Sequence, residues 1–178
     1  MKRILLGVTG SVAAYKAAEI TRLFKKAGQD VIVIMTKSAQ EFVTPLTFQT
    51  LSQNSVVTEM FEKRPDWQPI HISLADSADA LLIAPATANI IAKIANGIAD
   101  DILSCTALSV DCPIIIAPAM NDKMWMNPAT QRNVELLKKQ GVKFLSVDEG
   151  ELACGVVGKG RLSQPEEIVK ATIETINI

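Results

Sequence analysis

Three side chains of complementary chemistry stand out in this chain of 178 residues: an imidazole, an amide and a thiol. His71 is the single histidine and opens His-Ile-Ser-Leu-Ala. Asn121 follows Ile114-Ile-Ile-Ala-Pro-Ala-Met120, a β-branched apolar run that stops at Pro-Ala-Met-Asn. Read as a buried parallel strand, that run delivers Asn121 to the crevice beyond the strand's carboxyl end, where open α/β sheets bind ligands. The rival role for Asn121 is N-cap of a helix starting at Asp122. Cys154 lies in Gly150-Glu-Leu-Ala-Cys-Gly-Val-Val-Gly-Lys-Gly-Arg161, whose four glycines suit a flap that closes and excludes water. A loop without function is the plainer alternative.

The elements that must position these groups alternate along the chain. Strands are expected at Arg3 to Val8, Val31 to Thr36, Ala80 to Ala84, Ile114 to Ala117 and Val142 to Val147. Helices are expected at Val12 to Ala27 with Gly28 as its cap, Thr87 to Asn96, Asp101 to Val110, Pro128 to Gln140 and Pro165 to Ile176. Alternation of this kind implies a parallel sheet with helices on both faces, a three-layer Rossmann-like (flavodoxin-like) α/β fold. Residues Ala39 to Ile70, with three prolines and Phe42, Phe48, Phe61 and Trp67, read as short helices and loops over the sheet's edge.

Three strand ends finish in small or polar sets. Gly7-Val-Thr-Gly10-Ser11-Val12 turns straight into a helix, which points backbone N–H groups and the positive helix end at one anion site. The same glycine and serine could serve only to turn the chain and cap the helix. This is not the spaced G-x-G-x-x-G fingerprint, and the second strand ends Thr36-Lys37-Ser38 instead of in the acid that holds a ribose. Hydroxyls and a lysine suit a terminal phosphate, so FMN is favoured over NAD. Pro85-Ala86-Thr87-Ala88-Asn89 again follows an apolar strand, its small residues allowing close approach to a flat ring; it serves equally as a helix start.

Composition narrows the classes further. With 48% hydrophobic residues the chain can bury one substantial core, so one domain over residues 1–178 is expected. Eighteen basic and nineteen acidic residues give a net charge of -1 without a basic cluster, so no nucleic-acid partner is expected. The apolar start is too short for a signal segment, and no membrane span is expected. Three cysteines without a C-x-x-C pair argue against a disulfide framework and a metal site, which suits a cytoplasmic setting. Cys105 and Cys112 read as core.

The set Gly10-Ser11-Val12-Ala13-Ala14-Tyr15-Lys16, His71-Ile72-x-Leu74, Pro85-Ala86-Thr87-Ala88-Asn89, Pro118-Ala119-Met120-Asn121-x-x-Met124-Trp125 and Ala153-Cys154-Gly155-x-x-Gly158-x-Gly160-Arg161 resembles the homo-oligomeric flavin-containing cysteine decarboxylases, particularly those acting on 4'-phosphopantothenoylcysteine. The resemblance runs in order from residue 3 to about residue 165. It implies FMN held by Gly10, Ser11, Val12, Thr36, Ser38, Pro85, Ala86, Thr87, Ala88, Asn89 and Met120, and a homotrimer or homododecamer with the flavin near a subunit boundary. In many bacteria such a domain is fused to a phosphopantothenate-cysteine ligase. With the sequence ending at Ile178, that ligase is expected as a separate protein or as a part removed from this chain. Three departures stand out. Thr87-Ala88-Asn89-Ile90 replaces Ser-Ala-Asn-Thr, Asp100-Asp101-Ile102 replaces Asp-Asn-Leu, and Val156 stands where an acid often follows Cys-Gly.

The implied chemistry assigns the roles. A cysteine carboxylate attached through its amide has no electron sink, so CO2 loss requires prior oxidation at the thiol-bearing carbon to a thioaldehyde. Decarboxylation then leaves an enethiolate, which must recover hydride and a proton. An imidazole can take up a proton without a large change in pH, which suits His71 to proton removal during oxidation. Asn121 donates to the substrate carboxylate without adding charge that would oppose its loss. A thiol titrating near about 8.5 suits Cys154 to protonating the enethiolate. Lys159 and Arg161 could meet the substrate's phosphate, as could Asn121 its carboxylate. A peptidyl-cysteine decarboxylase would use the same histidine and asparagine, and a non-catalytic flavin-binding regulatory subunit could keep the same fold. A flavin prenyltransferase has no need of Cys154, and an NAD-dependent oxidoreductase would need the acid absent after the second strand.

Overall fold

The computed structural model describes residues 1–61, 68–151, 155 and 157–177. Five strands, β1 (Arg3–Val8), β2 (Asp30–Met35), β3 (Ala80–Ala86), β4 (Ile114–Pro118) and β5 (Lys143–Phe144), pair in parallel in the order β2-β1-β3-β4-β5. Because the central strands are covered on both faces, they need apolar residues at every position rather than at alternate ones. All seven residues of β3 are accordingly buried.

Alternating side chains divide the core in two. Ile4, Leu6, Val8, Leu82 and Ala117 meet Phe24 of α1 (Ala14–Lys26), Phe48 of α2 (Pro45–Ser52) and Ile168 of α8 (Pro165–Ile176). Leu5, Leu81, Ile83 and Ile116 meet Leu74 of α3 (Ile70–Ser77), Ile90 of α4 (Ala88–Ala95), Leu103 of α5 (Ile102–Ala107) and Leu137 of α7 (Pro128–Lys139). The result is the three-layer flavodoxin-like fold that the strand and helix alternation implies. A short helix α6 (Asp122–Met126) and an antiparallel hairpin of β6 (Asp148–Glu151) and β7 (Val157–Arg161) complete the described chain. No helix among the described residues is long and apolar enough to cross a membrane.

The structure differs from the sequence expectation at identifiable places. The strand expected at Val142 to Val147 shrinks to Lys143–Phe144, an edge that pairs only with β4. His71 sits on α3, whose single turn-spaced apolar stripe, Ile70 and Leu74, is too short to read as periodic. The segment after β2 forms a 3-10 turn, Lys37–Glu41, and α2, and then returns to the sheet edge where Val57 bridges Ile34. Phe42 and Phe61 are exposed there, and Trp67 lies outside the described residues. Cys105 and Cys112 are half-buried rather than fully enclosed; burial, with neighbouring carboxylates behind it, pushes both thiols up.

An ion cluster ties α4 to the start of α5. Lys93 Nζ lies 2.6 Å from both Asp100 and Asp101. Asp101 also caps α5, its side chain accepting from Ser104 N–H at 2.9 Å. Burial alone would raise the Asp101 carboxyl, but hydrogen bonds from Lys93 and Ser104 outweigh it and hold the group below its ordinary value. A carboxyl depressed on folding stabilises the native state above the unfolded pKa, about 3.9, and that stability is lost as pH falls through the folded value. Asp101→Asn keeps a good cap and removes the charge. Its urea midpoint should therefore lie below the parent's at pH 7, and the gap should close as the pH is taken below about 4. A gap independent of pH would mean that the pair with Lys93 contributes nothing.

Candidate active site

Where the strand order reverses, between β1 and β3, the carboxyl ends of the strands open into a cleft of about 670 Å³. Its walls come from four places. Gly10 to Ala13, Tyr15 and Lys16 follow β1, and Thr87 follows β3. Ala119, Met120, Asn121 and Met124 follow β4, while Gly160, Arg161 and Leu162 come from β7 and the residue after it.

The first wall is a turn that only glycine permits. A Cβ on Gly10 would run into Ser38, so the turn after β1 lies directly on the turn after β2. Ser11 accepts from Ala13 N–H at 3.3 Å, and α1 then begins with its positive end at the cleft. Thr36 caps the 3-10 turn through Ala39 N–H, so Thr36 and Ser38 support the Gly10 turn from behind and are not part of the cleft wall.

The second and third walls are joined through backbone. Thr87 caps α4 by accepting from Ile90 N–H at 3.4 Å. Pro85 and Ala86 are buried in β3, with their carbonyls taken by Thr9 Oγ1 at 2.7 Å and Ala119 N–H at 2.9 Å. Ala88 and Asn89 lie in the first turn of α4, off the cleft wall. Asn121 combines both roles considered for it: it lines the cleft, and its Oδ1 accepts from Lys123 N–H at 2.9 Å as the N-cap of α6.

The fourth wall depends on a bulge. Asp148 is registered with Arg161 but Glu149 with Lys159, so Gly160 is an extra residue in β7. It adopts φ +135°, and a Cβ there would strike the Met120 carbonyl. Met120 N–H in turn donates to Gly160 O at 2.9 Å, and a Cβ on Gly158 would crowd the Asp122 side chain. The hairpin is thus pressed backbone to backbone against the end of β4. Without the bulge Lys159 and Arg161 would share a face; with it, Arg161 lines the cleft and Lys159 does not.

Two cations therefore converge in one chamber. Burial, and next the Arg161 guanidinium, pull the half-buried Lys16 ammonium below its ordinary value, while Asp148, Glu19 and Glu166 act in the opposite sense. Lys16 and Thr9 were not singled out in the sequence, although each left a signal. Lys16 lies in the first turn of the helix that follows the Gly10-Ser11 turn, and Thr9 is a polar residue at the end of an apolar strand. Of the expected site residues, Gly10, Ser11, Val12, Thr87, Met120, Asn121 and Arg161 come together. His71, half-buried on α3, is not in the cleft wall of this chain, and Cys154 lies outside the described residues.

A flavodoxin-like sheet with a cation-lined cleft at its switch point defines a binder of anionic, cofactor-sized ligands. The chain belongs to the Flavoprotein family, whose sequence model matches residues 1–177. It is 51% identical over 169 residues to the coenzyme A biosynthesis bifunctional protein CoaBC of Bacillus subtilis (strain 168), a match covering 95% of this chain and 42% of that protein. The chain thus spans less than half the length of such bifunctional relatives. It is 46% identical over 178 residues to the probable phosphopantothenoylcysteine decarboxylase of Streptococcus mutans serotype c, covering 98% of this chain and 99% of that one. Among solved structures, a PPC decarboxylase mutant complexed with pantothenoylaminoethenethiol superposes with a TM-score of 0.88 at 32% identity, covering 99% of each chain. The FMN-dependent cysteine decarboxylase SpaF superposes with a TM-score of 0.83 at 33% identity, covering 98% of this chain and 97% of that one.

The bulge contact gives a direct test. Gly160→Ala adds positive-φ strain, about 1–3 kcal/mol, to a collision with the Met120 carbonyl. Gly28→Ala adds strain alone, because nothing lies within 4 Å of a Cβ there at φ +75°. The urea midpoint should fall further for Gly160→Ala, and equal losses would show that the hairpin moves off β4 freely.

Proposed function

We propose that this chain binds FMN in the cleft and decarboxylates 4'-phosphopantothenoylcysteine to 4'-phosphopantetheine, a step of coenzyme A biosynthesis, as one catalytic domain working in the cytoplasm. The observation that carries the reading is the convergence of a helix start, a neutral amide and two cations, Lys16 and Arg161, in a single chamber. That donor set matches a doubly phosphorylated occupancy, one phosphate on the cofactor and one on the substrate, better than a peptide. Family membership and the names of the relatives support the same reaction.

The residues present fit the cofactor. A volume of about 670 Å³ falls within the range of cofactor clefts, about 300–1,000 Å³. Gly10, Ser11 and Val12 at the start of α1 would hold the phosphate, and Thr87, Ala119 and Met120 would flank the ring. Bound FMN supplies a two-electron acceptor that makes loss of the carboxylate possible and is restored by the end of the cycle. Asn121 lines the cleft, and its amide is the group we assign to the substrate carboxylate. Lys16 and Arg161 would hold the substrate's phosphate, with the guanidinium able to engage it bidentately. His71 takes up a proton during oxidation, and Cys154 returns one to the enethiolate.

Because His71 is not in the cleft wall of its own chain, the proposal requires a second copy to deliver it. A homotrimer or homododecamer with the cleft at a subunit boundary meets that requirement. Two experiments follow. Cys154→Ser, given the substrate anaerobically, should release CO2 yet accumulate a product two hydrogens lighter than 4'-phosphopantetheine by mass spectrometry, because a hydroxyl is a far weaker acid than a thiol. Production of 4'-phosphopantetheine at the parent rate would remove the thiol from the chemistry.

The second experiment places the imidazole. His71→Asn and Asn121→Ala chains, each inactive alone, should regain a fraction of the parent turnover when co-expressed as mixed oligomers. The cleft of the first chain would then receive the imidazole of the second. Mixed oligomers as inactive as either variant would return His71 to its own subunit's site or to a structural role.

A further inference from the structure

We propose that Thr9 is a positioning residue that sets the cofactor wall of the cleft through Thr87, an inference that rests on the FMN reading above. The β1–β3 ladder is registered from Ile4 with Ala80 to Gly7 with Ile83, and beyond it the β3–β4 register shifts between Ile83 and Ala86. Pro85 lies in that irregularity and has no N–H to offer β1 or β4. The β1–β3 ladder accordingly ends at Gly7 and Ile83. Beyond it the Thr9 hydroxyl donates to Pro85 O at 2.7 Å and accepts from Thr87 N–H at 3.1 Å.

One hydroxyl thereby uses both its proton and a lone pair to fix the residues on either side of Ala86. Ala86 is itself fixed by Ala119 N–H, so three consecutive residues have assigned backbone partners. Thr9 is 2% exposed and is not in the cleft wall; Thr87, which it holds, lines the cleft and starts α4. A valine fills nearly the same space but would leave the Pro85 carbonyl and the Thr87 N–H without their partner. The wall would then relax where the flavin rests.

The test titrates apoproteins with FMN and follows quenching of its fluorescence. Thr9→Val should raise the Kd about tenfold or more and shift the visible absorption band of the bound flavin. Thr9→Ser, which keeps the hydroxyl, should stay within about threefold of the parent. A parent-like Kd for the valine variant overturns the inference, as does an equal loss in both variants, which would assign the effect to the methyl group. Should the valine variant fail to fold, amide hydrogen exchange at Thr87 in the parent apoprotein decides: protection supports the bond, and exchange at the rate of an open amide overturns it. A parent chain that does not bind FMN overturns the functional reading itself, whereas binding by the parent and the valine variant alike removes only the role of Thr9.

Discussion

The cleft exists because the carboxyl ends of the strands are held in a row after regular pairing has stopped. Parallel strands stagger at their ends, and each loop that leaves them would be free to choose its own path. Here a line of hydrogen bonds crosses from one loop to the next: Thr9 to Pro85 and Thr87, Ala86 to Ala119, and Met120 to Gly160. Four segments far apart in sequence are thereby held at hydrogen-bond distance from one another. The two-layer core behind them, with Phe24 and Phe48 on one side and Ile90 and Leu103 on the other, supplies the stability that lets the loops be shaped by ligand needs.

Charge is distributed across that row with a clear division. The start of α1, Lys16 and Arg161 provide positive potential in the cleft, while Asn121 contributes a neutral amide to its wall. A cation in place of Asn121 would stabilise a bound carboxylate in its ionised ground state and oppose the proposed loss of CO2, because only interactions that are stronger in the transition state accelerate it. The Lys16 ammonium is lowered first by burial and next by the neighbouring Arg161 guanidinium. Asp148, Glu19 and Glu166 act in the opposite sense from outside the cleft wall.

How much of this could be read from sequence follows from the range of the interactions involved. β1 and α8 have the expected limits because continuous apolar runs and helical periodicity with Pro165 at the start are local signals. The crevice side of Gly10, Ser11, Thr87 and Asn121 was legible for the same reason, since a polar residue after a buried strand has few other places to go. The β6–β7 hairpin was not legible. Its glycines suggested mobility, whereas Gly160 is there to let β7 lie against the Met120 carbonyl, a contact between residues forty positions apart. That same bulge decides that Arg161 and not Lys159 enters the cleft, and no spacing rule within the segment could have shown it. The position of His71 outside the cleft wall was equally hidden, because the α3 stripe is one turn long.

Two of the three departures from the sequence pattern of flavin-containing cysteine decarboxylases acquire physical meanings in this arrangement, and the third, Val156, lies outside the described residues. Thr87, in place of serine, retains the hydroxyl that caps α4, so the helix start survives the exchange. Ile90, in place of threonine, is 1% exposed and packs with Leu103 and Ile83 beneath the sheet, so the lost hydroxyl belongs to the core and not to the cleft. Asp101, in place of asparagine, still caps α5 and adds an ion pair with Lys93. Each exchange keeps the backbone hydrogen bond that its element needs and changes what surrounds it. Thr87 and Asp101 hold the starts of α4 and α5, while Ile90 behind them fills apolar volume.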